Sequence, residues 1–262
     1  MHTPTQVPVG EGHLAVYRDR PPGGGRRCLL VPPYGLPAAA LAPVAHALVD
    51  HGHEVIRFDG RDHVGAGSGT IADFRMSRVA VDCAELIERF QPSVVVAISL
   101  GARAALRALA ETRSAADAVF VTPVVDVRNT LRAVLDRDWF EVPTAEVPEL
   151  VPVLDHDIRA DQFLRDCEAH GLVEPAGTVI DLQHTGGRVT LIPGSHDPWV
   201  DRAMVERIVS QATTADDPTR FDVRVQAADS HALHEDAELA MRMISAALDA
   251  VRTLADGTRR AS

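Results

Sequence analysis

The chain has 262 residues and a mass of 28.2 kDa; 46% of the residues are hydrophobic, 24% charged and only 4% aromatic. These values fit one large globular domain and exclude a disordered, collagen-like or aromatic nucleic-acid-binding chain. A formal charge of -11 repels polyanions, so nucleic acid is not an expected partner, and the absence of lysine excludes Schiff-base, pyridoxal-phosphate, Ser-Lys and P-loop lysine chemistry.

Residues 1–12 read as a flexible polar arm, and His13–Tyr17 as an early strand before the turn-forming Pro21-Pro22-Gly23-Gly24-Gly25. Arg27–Val31 is a short apolar run stopped by Pro32-Pro33, which suits a strand buried on both faces, and Ala38–Val49 has helical spacing. Glu54–Phe58 follows as a strand, 59–69 as a glycine-rich loop, and Ser77–Arg89 as a helix with Val81, Ala84, Leu86 and Ile87 on one side. Ser93–Ile98 is the purest β-branched run, followed at once by a Gly101–Ala110 helix and an Asp117–Val121 strand. Strands alternating with helices of this length predict right-handed crossovers and a mostly parallel sheet covered on both faces, an α/β architecture.

From 126 to 187 the rhythm changes: Pro143, Pro148, Pro152 and Pro175 interrupt an acidic stretch without strand runs, which predicts short helices forming a lid. Strands return at Arg188–Ile192 and Phe221–Val225, flanking an Arg202–Gln211 helix, and Glu238–Leu254 reads as the closing amphipathic helix. The expected organisation is a core of 13–125 and 188–256, a lid of 126–187 and flexible termini at 1–12 and 257–262. Cys28, Cys83 and Cys167 are far apart and odd in number, which fits a reduced, cytoplasmic setting. No export signal or membrane span is read.

In open parallel sheets, sites form at the carboxyl ends of strands. Ser99, Asp197 and His231 each follow a separate predicted strand, in the order Ser, Asp, His that α/β-hydrolases use. A serine hydroxyl needs an imidazole to take its proton, and the imidazole needs a carboxylate to fix its tautomer. Ala97-Ile98-Ser99-Leu100-Gly101 matches the sharp Gly-x-Ser-x-Gly turn with Ala97 for the first glycine. Read singly, Ser99 is equally an N-cap, Asp197 a helix starter, and His196 and His234 rival His231. The Leu100 N–H and one from Tyr34, Gly35 or Leu36 are the expected oxyanion donors; Pro32 and Pro33 have no N–H to give.

These segments resemble the fatty-acyl transferase family of bacterial bioluminescence, myristoyl-acyl-carrier-protein thioesterases of α/β-hydrolase fold. The resemblance runs from about Cys28 to Leu248 and is carried by Asp62-His63-Val64-Gly65, Ser68-Gly69-Thr70-Ile71, Ala97-Ile98-Ser99-Leu100, Phe163-Leu164-Arg165-Asp166-Cys167, Asp197 with Trp199-Val200, and Ser230-His231. Gly101 stands where that family has serine. The resemblance implies that Ser99, Asp197 and His231 act as nucleophile, acid and base on an acyl thioester carried by an acyl carrier protein or CoA, with no metal or organic cofactor.

Trp139, Phe140, Val142, Phe163 and Leu164 are candidates for an acyl pocket in the lid. Arg103, Arg128, Arg132 and Arg137 are candidates for an acidic carrier or its phosphate. His63 reads as a structural hydrogen-bonder of the glycine-rich loop. Two alternatives stay open: carbon–carbon cleavage or cyclisation of a carrier-bound polyketide, and a non-catalytic scaffold that binds a carrier protein.

Overall fold

The structure, a computed structural model, describes residues 3–228, 230, 231 and 237–260, with the backbone alone for 237 and 256–260. Short β-branched runs become the middle of an eight-stranded sheet because both faces of such a strand can be covered. In chain order its strands are β1 (Thr5–Val9), β2 (Gly12–Asp19), β3 (Arg26–Val31), β4 (His53–Asp59), β5 (Val94–Ile98) and β6 (Asp117–Val121), joined after an insertion by β9 (Val189–Ile192) and β10 (Phe221–Val223). Their spatial order is β1-β2-β4-β3-β5-β6-β9-β10; β2 pairs antiparallel with both β1 and β4, and all other pairings are parallel.

The two-residue period of a strand divides the core. On one side Leu29, Val31, Ile56, Phe58, Val95, Ala97 and Phe120 pack against helices α2 (Met76–Phe90), α3 (Leu100–Glu111), α6 (Pro175–His184) and α7 (Arg202–Ala212). On the other, Cys28, Leu30, Val94, Val96, Ile98 and Val119 pack against α1 (Ala42–Asp50) and α8 (Ala237–Arg260). The mostly parallel α/β sheet read from the sequence is thus the observed one.

Several boundaries differ from expectation. Residues 1–12 are not an unstructured arm: Thr5–Val9 is an edge strand, with Val7 and Val9 buried by antiparallel pairing to β2. The terminus expected at 257–262 continues the closing helix to Arg260. On α2, Val81 lies on the exposed side, because Val79, Ala80, Cys83, Leu86 and Ile87 form the buried stripe. Residues 126–187 are not all short helices. Between α4 (Val127–Leu135) and α5 (Ala160–Ala169) lies an antiparallel hairpin of β7 (Leu150–Val153) and β8 (His156–Arg159). Its inward residues Val151, Val153 and Ile158 show a real alternation that Pro152 obscures. The last part, α6, belongs to the core packing.

One buried charge cluster fixes α3 to α6. Arg103, whose side chain is 0% exposed, donates to Asp181 at 2.6 Å, and Arg107 donates to the same carboxylate at 2.9 Å. Arg103, a candidate for carrier contact in the sequence, is thus neither at a carrier-facing surface nor on a solvated helix face; it is a core residue. Asp181→Ala leaves a guanidinium buried without its partner and should cost about 3–5 kcal/mol in urea unfolding; a loss under about 1 kcal/mol would contradict this. His53 and His63 are both buried, and burial holds each below the ordinary imidazole value of 6.5. The unfolded chain then binds more protons below pH 6.5, so the stability these two histidines govern should be level at about pH 7–7.5 and fall as the pH drops below 6.5. Urea midpoints at pH 7.5 and 5.5 test this: the midpoint should be lower at pH 5.5, and less so in His63→Gln.

Candidate active site

The site begins with a backbone that a side-chain-bearing residue resists. Ser99, between β5 and α3, has φ 53 and ψ -126. Three hydrogen bonds hold it there: its N–H donates to Val121 O at 2.9 Å, and its carbonyl accepts from Ala102 N at 3.0 Å and Val124 N at 3.2 Å. Two positions on, a Cβ at Gly101 would lie 2.2 Å from Pro32 O, so only glycine lets α3 start this close to the chain leaving β3. Ala97, fully buried between β3 and β6, shows that the first small position tolerates a methyl group.

A second set of backbone bonds brings Asp197 beside His231. After β9 and β10 the two chains stay paired: Ser195 N donates to Gln226 O and His196 N to Ala228 O, both at 2.8 Å. Asp197 then stands opposite His231. Asp197 Oδ1 accepts from Trp199 N at 2.9 Å and Val200 N at 3.1 Å, while Oδ2 faces His231 Nδ1 at 2.7 Å. An acceptor there puts the imidazole proton on Nδ1 and leaves the Nε2 lone pair toward Ser99 Oγ, 2.6 Å away. Asp197 and His231 are buried, and the Trp199 ring lies on His231 with centroids 4.8 Å apart. Of the rival histidines, His196 is exposed beside Ser195, and His234 lies outside the described residues.

A cleft of about 340 Å³ opens at Ser99 and His231, walled by Pro33, Tyr34, Gly35 and Leu36 of the loop after β3. Its other walls were not foreseen: Leu154, Asp155 and His156 from the β7–β8 turn, and Pro198 and Trp199 after Asp197. The expected acyl-pocket residues are elsewhere. Phe163, Leu164 and Trp139 surround a separate small void with Leu131, Leu135, Val151, Val153 and Ile158, and Phe140 and Val142 do not line the cleft. Apolar character marked the insertion's own core, since Phe163 and Leu164 must cover Phe74 and the hairpin. Among the oxyanion-loop candidates, the Gly35 N–H is already engaged, donating to His63 Nε2 at 3.3 Å. His63 thus bonds the loop after β3 as well as its own glycine-rich loop, where its Nδ1 lies 3.4 Å from Val64 O. Among the described residues no acceptor meets the N–H of Leu100, of Tyr34 or of Leu36.

The remaining arginine candidates are largely committed within the insertion. Arg128 bridges Asp138, Glu141 and Glu174, Arg137 lies 4.7 Å over the Trp139 ring, and Arg132 is exposed.

The acyl transferase family model matches residues 36–245. An acyl transferase of Photorhabdus luminescens is 29% identical over 174 residues, covering 64% of this chain and 56% of that protein; the match spans little more than half the length of the relative. Among solved structures, Est1E from Butyrivibrio proteoclasticus with ferulic acid bound superposes with a TM-score of 0.76 at 13% identity, covering 96% of this chain and 99% of that one. The thioesterase domain from the curacin biosynthetic pathway gives a TM-score of 0.62 at 14% identity, covering 94% and 98%. At such identities the likeness is one of fold. With the sheet order, the elbow at Ser99 and a model match over most of the sequence, the chain has the α/β-hydrolase fold and belongs to the acyl transferase family.

Proposed function

We propose that the protein is a serine thioesterase or acyltransferase that moves a fatty-acyl or polyketide chain, delivered as a carrier-protein or CoA thioester, through an acyl-Ser99 intermediate. The observation that carries this reading is the continuous pair of hydrogen bonds from Ser99 Oγ through His231 to Asp197, 2.6 and 2.7 Å long, opening on a cleft.

In the proposed reaction Ser99 Oγ attacks the thioester carbonyl carbon as His231 Nε2 takes the hydroxyl proton. Asp197 holds the resulting imidazolium; its second oxygen, kept by two backbone N–H groups, cannot swing away. The carbonyl oxygen becomes an oxyanion, and the free N–H groups of Leu100 and Tyr34 are its donors; Gly35, bound to His63, is not. The C–S bond then breaks and His231 returns its proton to the departing sulfur. Water or another hydroxyl or thiol acceptor, deprotonated by the same imidazole, attacks the acyl-serine carbonyl; the bond to Ser99 Oγ breaks, His231 returns the proton to that oxygen, and the chain is released. No step requires a metal or organic cofactor. Residues 126–174 act as the lid, with Leu154, His156 and Trp199 facing the acyl group in place of the aromatic candidates of the sequence reading.

Ser99→Ala should lower turnover of long-chain acyl thioesters by at least about 10³-fold and abolish fluorophosphonate labelling, while Asp197→Asn should lower kcat on the order of 10⁴-fold with the fold intact. Unchanged turnover in Ser99→Ala discards the reading. A covalent acyl-enzyme in the intact mass separates it from a non-catalytic scaffold. Product analysis with a carrier-bound β-keto chain separates it from carbon–carbon cleavage or cyclisation.

A further inference from the structure

Gly35 is held from both sides by imidazoles. Its N–H donates to His63 Nε2 at 3.3 Å, and His156 Nε2 lies 3.2 Å from its carbonyl oxygen. A carbonyl only accepts, so His156 carries a proton on Nε2; an N–H only donates, so His63 presents a lone pair there. The two bonds fix both peptide planes that meet at the Gly35 Cα.

The rings come from separate parts of the fold. His63 is buried after β4, in edge or tilted contact with Tyr34 and Phe74. His156 begins β8, in the hairpin that walls the cleft beside Ser99, and also meets the Tyr34 ring edge-on. Gly35 has φ +75, and a Cβ there would lie 2.9 Å from His156 Cδ2. Bare backbone at this position is what allows the hairpin to reach the loop.

We infer that His63 is a positioning residue: by accepting the Gly35 N–H it fixes the loop after β3 so that the preceding Tyr34 N–H stays free and directed at the oxyanion, while His156 fastens the lid hairpin to the same residue. The inference rests on the proposed role of Ser99 and of the Tyr34 donor. It gives His63 a function that its neutral, buried state serves, since a proton on Nε2 would set two donors against each other. Loss of the bond should therefore act on the step that forms the oxyanion and leave ground-state binding nearly untouched.

The test compares His63→Gln with His63→Asn. The glutamine carbonyl oxygen reaches the place of Nε2 and can accept the Gly35 N–H; asparagine reaches only the place of Nδ1. With an acyl thioester substrate, kcat of His63→Asn should lie at least about tenfold below that of His63→Gln, with KM values within about twofold and equal melting temperatures. Equal kcat values, or a difference carried by KM, overturn the inference. Combining His63→Asn with His156→Phe should cost less than the product of the two single effects, because both act on one residue; a multiplicative loss overturns the shared clamp. Ser99→Ala keeps the two levels distinct. If it retains turnover, the reading of the site falls; if it is inert while the His63 variants match, only the positioning role falls.

Discussion

Everything at the cleft depends on one serine being kept in a backbone conformation it would not choose. Positive φ at a non-glycine residue costs on the order of 1–3 kcal/mol, and persists only where the surroundings over-determine it. At Ser99 they do so with hydrogen bonds from both sides of the residue, to Val121 and from Val124 and Ala102. The partner strand β6 is itself buried, so the bonds are shielded from water. The hydroxyl stands clear of the sheet while the backbone below it cannot relax. Gly101 completes the constraint by letting α3 begin against Pro32.

The pairing of Asp197 with His231 depends on a different device. Asp197 and His231 do not sit on regular elements; they follow β9 and β10 on chains that continue to pair through Ser195, His196, Gln226 and Ala228 after the strands end. This extension of the parallel ladder sets the spacing between carboxylate and imidazole more firmly than two independent loops would. The Thr130 hydroxyl donates to Trp199 O at 2.9 Å, joining α4 of the insertion to the same acid-bearing loop. The insertion thus touches the site twice, through α4 and through His156.

The sheet was legible because its signal is local: β-branched runs of four or five residues, each followed by helical spacing, leave little choice but parallel strands with two covered faces. The order of Ser99, Asp197 and His231 was legible for the same reason, each residue falling just after a strong strand. What failed was tertiary. Val81 has the helical spacing of a core residue, yet its neighbours Val79, Ala80 and Cys83 face inward instead. Thr5–Val9 has too few apolar residues to signal a strand; it forms because β2 offers an unpaired edge. Trp139, Phe163 and Leu164 are apolar enough for a pocket, but apolarity does not say which void a side chain fills. His156 and Trp199 wall the cleft only through the hairpin and the loop after Asp197, neither of which spacing could place against Ser99.

The 132 positions that separate Ser99 from His231 have a bearing on how the molecule is made. Synthesis proceeds from the N-terminus, and contacts between distant parts of a chain form late because loop closure must come first. A ribosome-bound chain that has already exposed Ser99 lacks the His231 imidazole that faces it in the fold until the last strand and the loop after it emerge. During translation the hydroxyl is an ordinary one, and the hydrogen-bonded series from Ser99 through His231 to Asp197 is complete only when the fold closes.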